Sequence, residues 1–240
     1  MRSDNRVREV PNRRVCPRWF VRLLIVVAGL GLWFFTQSLI GSRALFPGAE
    51  MSGASLSRND GLFQLSEPAN RYLHGHPRVA ETLLIVSSAV IDVLGISLIL
   101  ASVFGSTMRP FIGLLILFAL RQLMQTLCVL PAPEGMIWQY PGVPSLLVTY
   151  HVANDFFFSG HTAIAVFGAT QLARLPYRGA MLLGCAIAAF EIATVLVLRA
   201  HYTMDVFAGT LAALWAAEVA DRLAPHCDRA IAKLCTSSTA

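Results

Sequence analysis

The chain has 240 residues, of which 55% are hydrophobic and only 14% are charged, and its formal net charge is +5. Soluble domains are usually about a quarter charged, so this composition argues against a soluble protein and indicates membrane-spanning segments. The positive charge does not indicate nucleic-acid binding, because the arginines stand at the ends of apolar segments rather than along one polar face. Five scattered cysteines without paired spacing predict packing residues, not a disulfide framework or zinc site, and we expect no metal or cofactor.

Six apolar runs predict an all-α polytopic membrane protein with six transmembrane helices, since a span needs ~20 mostly apolar residues. The first run could be a signal peptide, but it is long and no cleavage site follows closely, which favours a retained anchor. The predicted organisation is a basic segment (1–18), a six-helix catalytic membrane domain (19–223) and a tail (224–240). The runs cover residues 19–40, 82–104, 110–130, 160–175, 179–198 and 202–223.

The distribution of arginine predicts how these spans are oriented. The N-terminal segment is rich in arginine, whereas the loop at 131–158 contains neither lysine nor arginine. By the positive-inside rule, both termini are predicted to be cytoplasmic and the 131–158 loop to lie on the periplasmic or luminal side. The loop at 41–81 carries four arginines and weakens this bias without reversing it.

Two polar stretches carry the candidate chemistry, at the outer starts of the fourth and sixth spans. Because the predicted topology places both at the same membrane face, we expect them to form one site. They contribute Asp155, Ser159, Gly160 and His161 from the first stretch, and Arg199, His201 and Asp205 from the second.

The second stretch predicts a nucleophile. His201 and Asp205 are four residues apart, so on a helix they lie one turn apart on the same face. The carboxylate can fix the tautomer of the imidazole and stabilise the imidazolium, which makes His201 a candidate nucleophile towards phosphorus. His161 is then the candidate acid for the leaving oxygen and base for the acceptor hydroxyl.

Phosphate oxygens need compensating donors, and several residues are candidates. Ser159 and Gly160 mark a helix N-terminus whose backbone amides can cradle an anion. Arg199 is placed at the rim, and Arg121 in the third span either contacts the phosphate or pairs with Asp92 or Glu191. Asp155 is grouped with these candidate substrate-binding residues.

A purely structural interpretation remains open for each stretch alone. Ser159 could be only a helix cap, and both histidines could be interfacial residues bonded to water. The coincidence of both stretches at one face, with an aspartate four residues after the second histidine, favours a site.

The motifs Asp-x-x-Phe-Ser-Gly-His-Thr and, forty residues later, His-Tyr-Thr-x-Asp-Val resemble those of the sphingomyelin synthase family. They also resemble plant phosphatidylcholine:diacylglycerol cholinephosphotransferases, whose second motif has arginine two residues before the histidine. Both groups belong to the phosphatidic acid phosphatase type 2 superfamily, which has a six-helix core. The resemblance covers roughly residues 120–219 and implies that His201 is the nucleophile, Asp205 its orienting partner and His161 the acid/base.

The phosphatase branches of that superfamily have two features that this chain lacks. Their lysine-rich first motif ends in Arg-Pro, and the only Arg-Pro here, at Arg109, is predicted to be cytoplasmic. Their Ser-Arg pair before the nucleophile is replaced by Thr194 and Val195. Both differences favour the transferase branch.

The predicted function is therefore transfer of phosphocholine or phosphoethanolamine from a phospholipid to a lipid alcohol, ceramide or diacylglycerol, through a phosphohistidine. These lipids are the expected partners. An alternative is a lipid phosphatase or phospholipase C-type hydrolase, in which water resolves the intermediate. A further alternative is a scramblase or carrier, although a lipid groove does not require an aspartate next to the histidine.

Overall fold

The computed structural model describes residues 17–41, 53–148, 150 and 156–237. Regular secondary structure within these ranges is entirely helical, which confirms the all-α part of the predicted fold class. In chain order the helices are α1 (Arg18–Gly41), α2 (Gly53–Arg58), α3 (Gly61–Gly75), α4 (Pro77–Phe104), α5 (Arg109–Leu127), α6 (Gly160–Leu172), α7 (Arg178–Val197) and α8 (Thr203–Ser237).

Five of these helices, α1, α4, α5, α7 and α8, are long and apolar enough to cross a membrane. The predicted fourth span corresponds to α6, which has only 13 residues and is therefore about 20 Å long. That is shorter than the ~30 Å hydrocarbon core of a bilayer. Helix α6 packs against α4, α5, α7 and α8, and most of its side chains are buried. That α6 crosses the membrane as a span of its own, making six in all, therefore remains a prediction.

Polar contacts connect α1, α5, α6 and α8 at one end of the helix bundle. Arg22 at the start of α1 donates to the carbonyl of Ser106 at 3.0 Å and pairs with Asp228 of α8 at 3.1 Å. Arg109 at the start of α5 donates to Gln171 of α6 at 3.0 Å. We call this the basic end of the bundle, and the opposite end, where α6 and α8 begin, the site end. Successive apolar helices from α4 onwards therefore alternate in direction.

Helix α3 lies in a segment that the sequence described only as a loop. Its buried residues Phe63 and Leu73 belong to clusters that include Ala200 and Leu198 from the turn between α7 and α8. The amide of Asn70 donates to the carbonyl of Gly135 at 3.1 Å and to that of Val197, where α7 ends, at 2.8 Å. Helix α3 thus ties the α7–α8 turn to the loop that follows α5.

Helix α8 continues past the predicted end of the last span at residue 223. With 35 residues it is about 52 Å long, which exceeds the ~30 Å hydrocarbon core. Its C-terminal part carries Asp228, which anchors both Arg22 and the backbone amide of Met108 at 3.0 Å. Residues after 223 are therefore packed onto the basic end.

Candidate active site

The α7–α8 turn holds the histidine–aspartate pair. His201 Nδ1 lies 3.3 Å from Asp205 Oδ2, and the same oxygen accepts the backbone N–H of Tyr202 at 3.0 Å. Asp205 is completely buried. A protonated Nδ1 donates to this carboxylate and leaves Nε2 of His201 for another partner.

The pair does not lie on one helix, as the sequence argument assumed. His201 stands in the turn, two residues before α8 begins at Thr203, while Asp205 lies in the first helical turn. The contact still forms because Asp205 reaches back towards the helix start, where free backbone N–H groups attract a carboxylate.

The turn itself is fixed by contacts with the loop after α5. Arg199 adopts a left-handed backbone conformation with φ 51°. The carbonyl of Leu198 accepts the backbone N–H of Ile137 at 2.8 Å, and the hydroxyl of Tyr202 donates to the carbonyl of Pro131 at 3.0 Å. His201 is therefore positioned by long-range hydrogen bonds on both sides.

Asp60 ties helix α3 to the start of helix α8. Its carboxylate accepts the backbone N–H groups of Leu62 and Phe63 at 3.1 and 3.2 Å, which caps α3. It also accepts the backbone N–H of Thr203 at 2.7 Å and a hydrogen bond from the Thr203 hydroxyl. One carboxylate thus caps two helices, two residues from His201.

Ser159 connects the start of α6 to the same region. Its Oγ accepts the backbone N–H of Thr162 at 3.3 Å and donates to the Thr162 hydroxyl at 2.9 Å. Its own backbone N–H donates to the carbonyl of Asp205 at 3.2 Å. Ser159 is fully buried, so the structure shows it as a helix cap that joins the two motifs.

His161 lies in the first turn of α6 and is nearly buried, with 7% of its surface exposed. Its ring meets Trp138 edge-on, with centroids 5.2 Å apart and an interplanar angle of 87°. Its Nε2 has no hydrogen-bond partner among the described residues. A buried ring nitrogen in this situation is available to a bound molecule.

Both histidines line one cavity at the site end, which contains about 690 Å³ of space free of protein atoms, part of it open to the surroundings. Arg121 and Gly160 also line it. A Cβ placed on Gly160 would stand 3.7 Å from Cζ of Arg121, so the guanidinium lies beside the start of α6. The rest of the lining is apolar: Trp33, Ile91, Leu117, Phe118, Trp138, Leu147, Val148, Phe156, Phe158, Ala163, Ile164 and Ala200.

The structure places Arg199 elsewhere. Its guanidinium donates to the carbonyl of Glu134 at 2.8 Å, pairs with Glu67 and lies 5.2 Å from the centroid of the Phe63 ring. These groups line a second, polar pocket under α3. The hydrogen bond from Arg71 and the charge of Arg199 lower the pKa of Glu67, which keeps this carboxylate ionised.

Two acidic residues inside predicted spans, Asp92 and Glu191, do not line the cavity and have hydrogen-bond partners of their own. Asp92 accepts hydrogen bonds from the hydroxyl of Ser145 and from the backbone N–H groups of the next two residues, each at 2.9 Å. It thereby anchors the segment whose Leu147 covers the cavity. Glu191 is fully buried and accepts a hydrogen bond from the hydroxyl of Ser87 at 2.6 Å.

Of the predicted site residues, the structure therefore brings five groups together. His161, His201, Arg121 and Gly160 line the cavity, and Asp205 stands behind His201. Ser159 lies beneath α6 as its cap, and Arg199 lines the neighbouring pocket. Asp155 falls outside the described residues.

Three residues that the structure places at or beside the candidate site were not predicted from the sequence: Asp60, Trp33 and Trp138. The Asn-Asp-Gly turn before the apolar residues of α3 is an N-cap pattern, so Asp60 carried a detectable signal. Trp33 and Trp138 carried none, because a tryptophan in an apolar run or an interfacial loop is expected without any site.

Comparison with known families yields a family model that matches this chain. A family model described as AtPDCT1/2 matches residues 59–222, just over two thirds of the chain. The match includes both histidines, Asp205 and Asp60, and it leaves α1 outside. Neither the curated proteins nor the solved structures yielded a match. Because the family model covers most of the chain, the protein belongs to the phosphatidylcholine:diacylglycerol cholinephosphotransferase family.

Proposed function

We propose that this protein transfers phosphocholine from phosphatidylcholine to diacylglycerol in the cavity at the site end, through a phosphohistidine on His201. The observation that carries the proposal is the convergence of two histidines on one apolar cavity. One of them is backed by a buried carboxylate, and the other has a free ring nitrogen. Family membership supports the substrate class.

In the first step, the lone pair of His201 Nε2 forms a bond to phosphorus. The bond from phosphorus to the diacylglycerol oxygen breaks, and this oxygen takes a proton from His161. Asp205 stabilises the positive charge that develops on the His201 ring. Arg121 faces the phosphate oxygens and compensates their charge, while the aromatic lining suits the choline cation.

In the second step, another diacylglycerol occupies the position of the first. Neutral His161 takes the proton of its hydroxyl, the hydroxyl oxygen attacks phosphorus, and the bond to His201 Nε2 breaks. The product is phosphatidylcholine with the acyl chains of the acceptor. Because leaving group and acceptor are chemically the same, the reaction is close to balanced and needs no external energy source.

The apolar lining of the cavity supports transfer rather than hydrolysis. Twelve of its sixteen lining residues are hydrophobic, and they surround the space beside the histidines. Such a lining favours a diacylglycerol over water as the acceptor of the phosphocholine group. Ethanolamine headgroups and ceramide stay as alternatives for the donor and acceptor, to be tested side by side.

The test uses proteoliposomes that contain phosphatidylcholine with an isotope-labelled headgroup and a diacylglycerol with distinct acyl chains. Mass spectrometry should find the labelled headgroup on the acceptor diacylglycerol. His201→Ala and His161→Ala should each lower this rate by at least about a thousandfold, because each removes a group that the chemistry requires. Parallel reactions with phosphatidylethanolamine and with ceramide determine headgroup and acceptor preference.

The matched control is His226→Ala. His226 is exposed near the basic end, where its Nδ1 lies 3.1 Å from the carbonyl oxygen of Arg222, so its variant should match the wild type. Release of free phosphocholine without a new phosphatidylcholine species would support the hydrolase instead. Lipid movement between leaflets without any turnover would support the carrier.

A further inference from the structure

We infer that Trp33, on helix α1, donates its indole N–H to an ester carbonyl of the glycerolipid in the cavity and so helps to select diacyl substrates. This inference rests on the proposed function. It assigns a substrate contact to a helix that lies outside the residues matched by the family model.

Trp33 is held firmly in the wall of the cavity. Only 3% of its surface is exposed, and its ring stacks on Phe118 of α5 with centroids 4.3 Å apart and an interplanar angle of 18°. Its backbone carbonyl accepts the amide of Gln122 at 3.3 Å, and the same amide donates to the hydroxyl of Thr36 at 2.5 Å. These contacts fix α1 against α5, so the indole has a defined position beside the space that His161 also lines.

The indole nitrogen lacks a hydrogen-bond partner. Nε1 of Trp33 is buried, and none of the described residues accepts its hydrogen. An indole N–H can only donate, and buried donors are normally satisfied. Most of the other side chains that line the cavity, such as Leu117 and Ile91, are hydrocarbon. An acceptor oxygen brought by a substrate is therefore the natural partner.

The depth of Trp33 in the helix bundle indicates which substrate oxygen accepts the hydrogen of the indole N–H. On α5, Phe118 precedes Arg121 by three residues, which places it ~4.5 Å further from the site end. Trp33 stacks on Phe118, so its ring lies at a deeper level of the bundle than the Arg121 backbone, whereas the Arg121 guanidinium lies beside Gly160, where α6 begins at the site end. In a glycerophospholipid, the ester carbonyls lie between the phosphate and the acyl chains. With the phosphate at Arg121, the indole N–H faces the level of the ester carbonyls.

The experiment combines removal of the indole N–H from the protein with removal of the ester carbonyls from the lipid. Trp33→Phe removes the N–H and keeps an aromatic ring on Phe118. The donor is either diester phosphatidylcholine or the matching diether lipid, which lacks both carbonyls. In each case kcat/KM for the donor is measured with one saturating acceptor, because this constant reports only the first half-reaction of a double displacement.

With the diester donor, Trp33→Phe should lower kcat/KM by about five- to tenfold, the effect of one lost hydrogen bond. With the diether donor, the variant should equal the wild type, because the acceptor oxygen is already absent. Trp215→Phe is the control, since Trp215 is 55% exposed on α8, and it should match the wild type on both lipids.

An equal loss on both lipids would overturn the inference, because the indole would then act on packing or on the phosphate. No loss on either lipid would overturn it as well. A wild-type protein that transfers no headgroup from any phospholipid would instead refute the proposed function, so the two failures are distinguishable.

Discussion

At the scale of single residues, the candidate site depends on the contacts of one buried carboxylate, that of Asp205. Asp205 Oδ2 accepts hydrogen bonds from Tyr202 N–H and faces His201 Nδ1. In the proposed mechanism a carboxylate is required here, because its charge both orients the imidazole and stabilises the imidazolium. An amide in its place keeps the size and loses the charge.

We therefore expect Asp205→Asn to lower kcat for headgroup transfer by a hundredfold or more, with a much smaller effect on KM. The measurement is the proteoliposome assay, with thermal unfolding in detergent to verify that the variant is folded. Glu218→Gln is the matched control, because Glu218 is an exposed acid on the same helix and, within the described part of the chain, forms its salt bridge with Arg222. An Asp205→Asn rate within threefold of the wild type would contradict the assigned role of Asp205.

At the scale of helices, the site depends on the close approach of α8 to α6. A Cβ placed on Gly209 would lie 2.7 Å from the backbone carbonyl oxygen of Ser159. That oxygen belongs to the residue that caps α6 and donates its N–H to Asp205. Glycine at this position therefore allows His161 and His201 to face the same cavity.

We expect Gly209→Ala to displace α8 from α6, to destabilise the protein by about 1–3 kcal/mol and to reduce transfer activity. Gly31→Ala is the matched control, because a Cβ there would meet nothing within 4 Å and alanine favours a helix. Thermal unfolding and the transfer assay should separate the two variants. Equal stability and activity of Gly209→Ala and the wild type would show that the helices tolerate a wider spacing.

At the scale of the whole molecule, the bundle has two chemically different ends. The basic end gathers Arg22, Arg109 and their acidic partners, whereas the site end carries the loop without lysine or arginine. The positive-inside rule then predicts that the site end faces the periplasm or lumen. The orientation in the membrane stays a prediction.

Labelling of introduced cysteines tests this orientation. In a variant whose five natural cysteines are replaced, a cysteine at Val143 should react with an impermeant maleimide added to intact cells, and one at Tyr177 should react only after permeabilisation. The protein itself leaves both side chains exposed, at 47% and 72%, so burial within the protein does not limit either reaction. The opposite pattern would place the active site on the cytoplasmic side.

Much of the fold and site could be predicted because their signals are local in sequence. Apolar runs identified the five long helices, since a span is defined by its own composition. The spacing of His201 and Asp205 predicted that their side chains are in contact, and they are, although His201 lies in a turn and not on a helix. The motif resemblance led to the cholinephosphotransferase branch, which the family match confirms. The resemblance to sphingomyelin synthases stays a prediction.

Other features were decided only by the tertiary structure, because they depend on which distant segments meet. Nothing near Arg199 in sequence indicates that Glu67, 132 positions away, pairs with it outside the cavity. Asp60 accepts a hydrogen bond from Thr203, 143 positions away in the chain. The position of the Trp33 indole likewise depends on its stacking on Phe118 of α5. Hydropathy and motif spacing determine which segments cross the membrane and which residues can react. Packing between segments far apart in the chain determines which charges reach the substrate, because a side chain is directed by its neighbours in space.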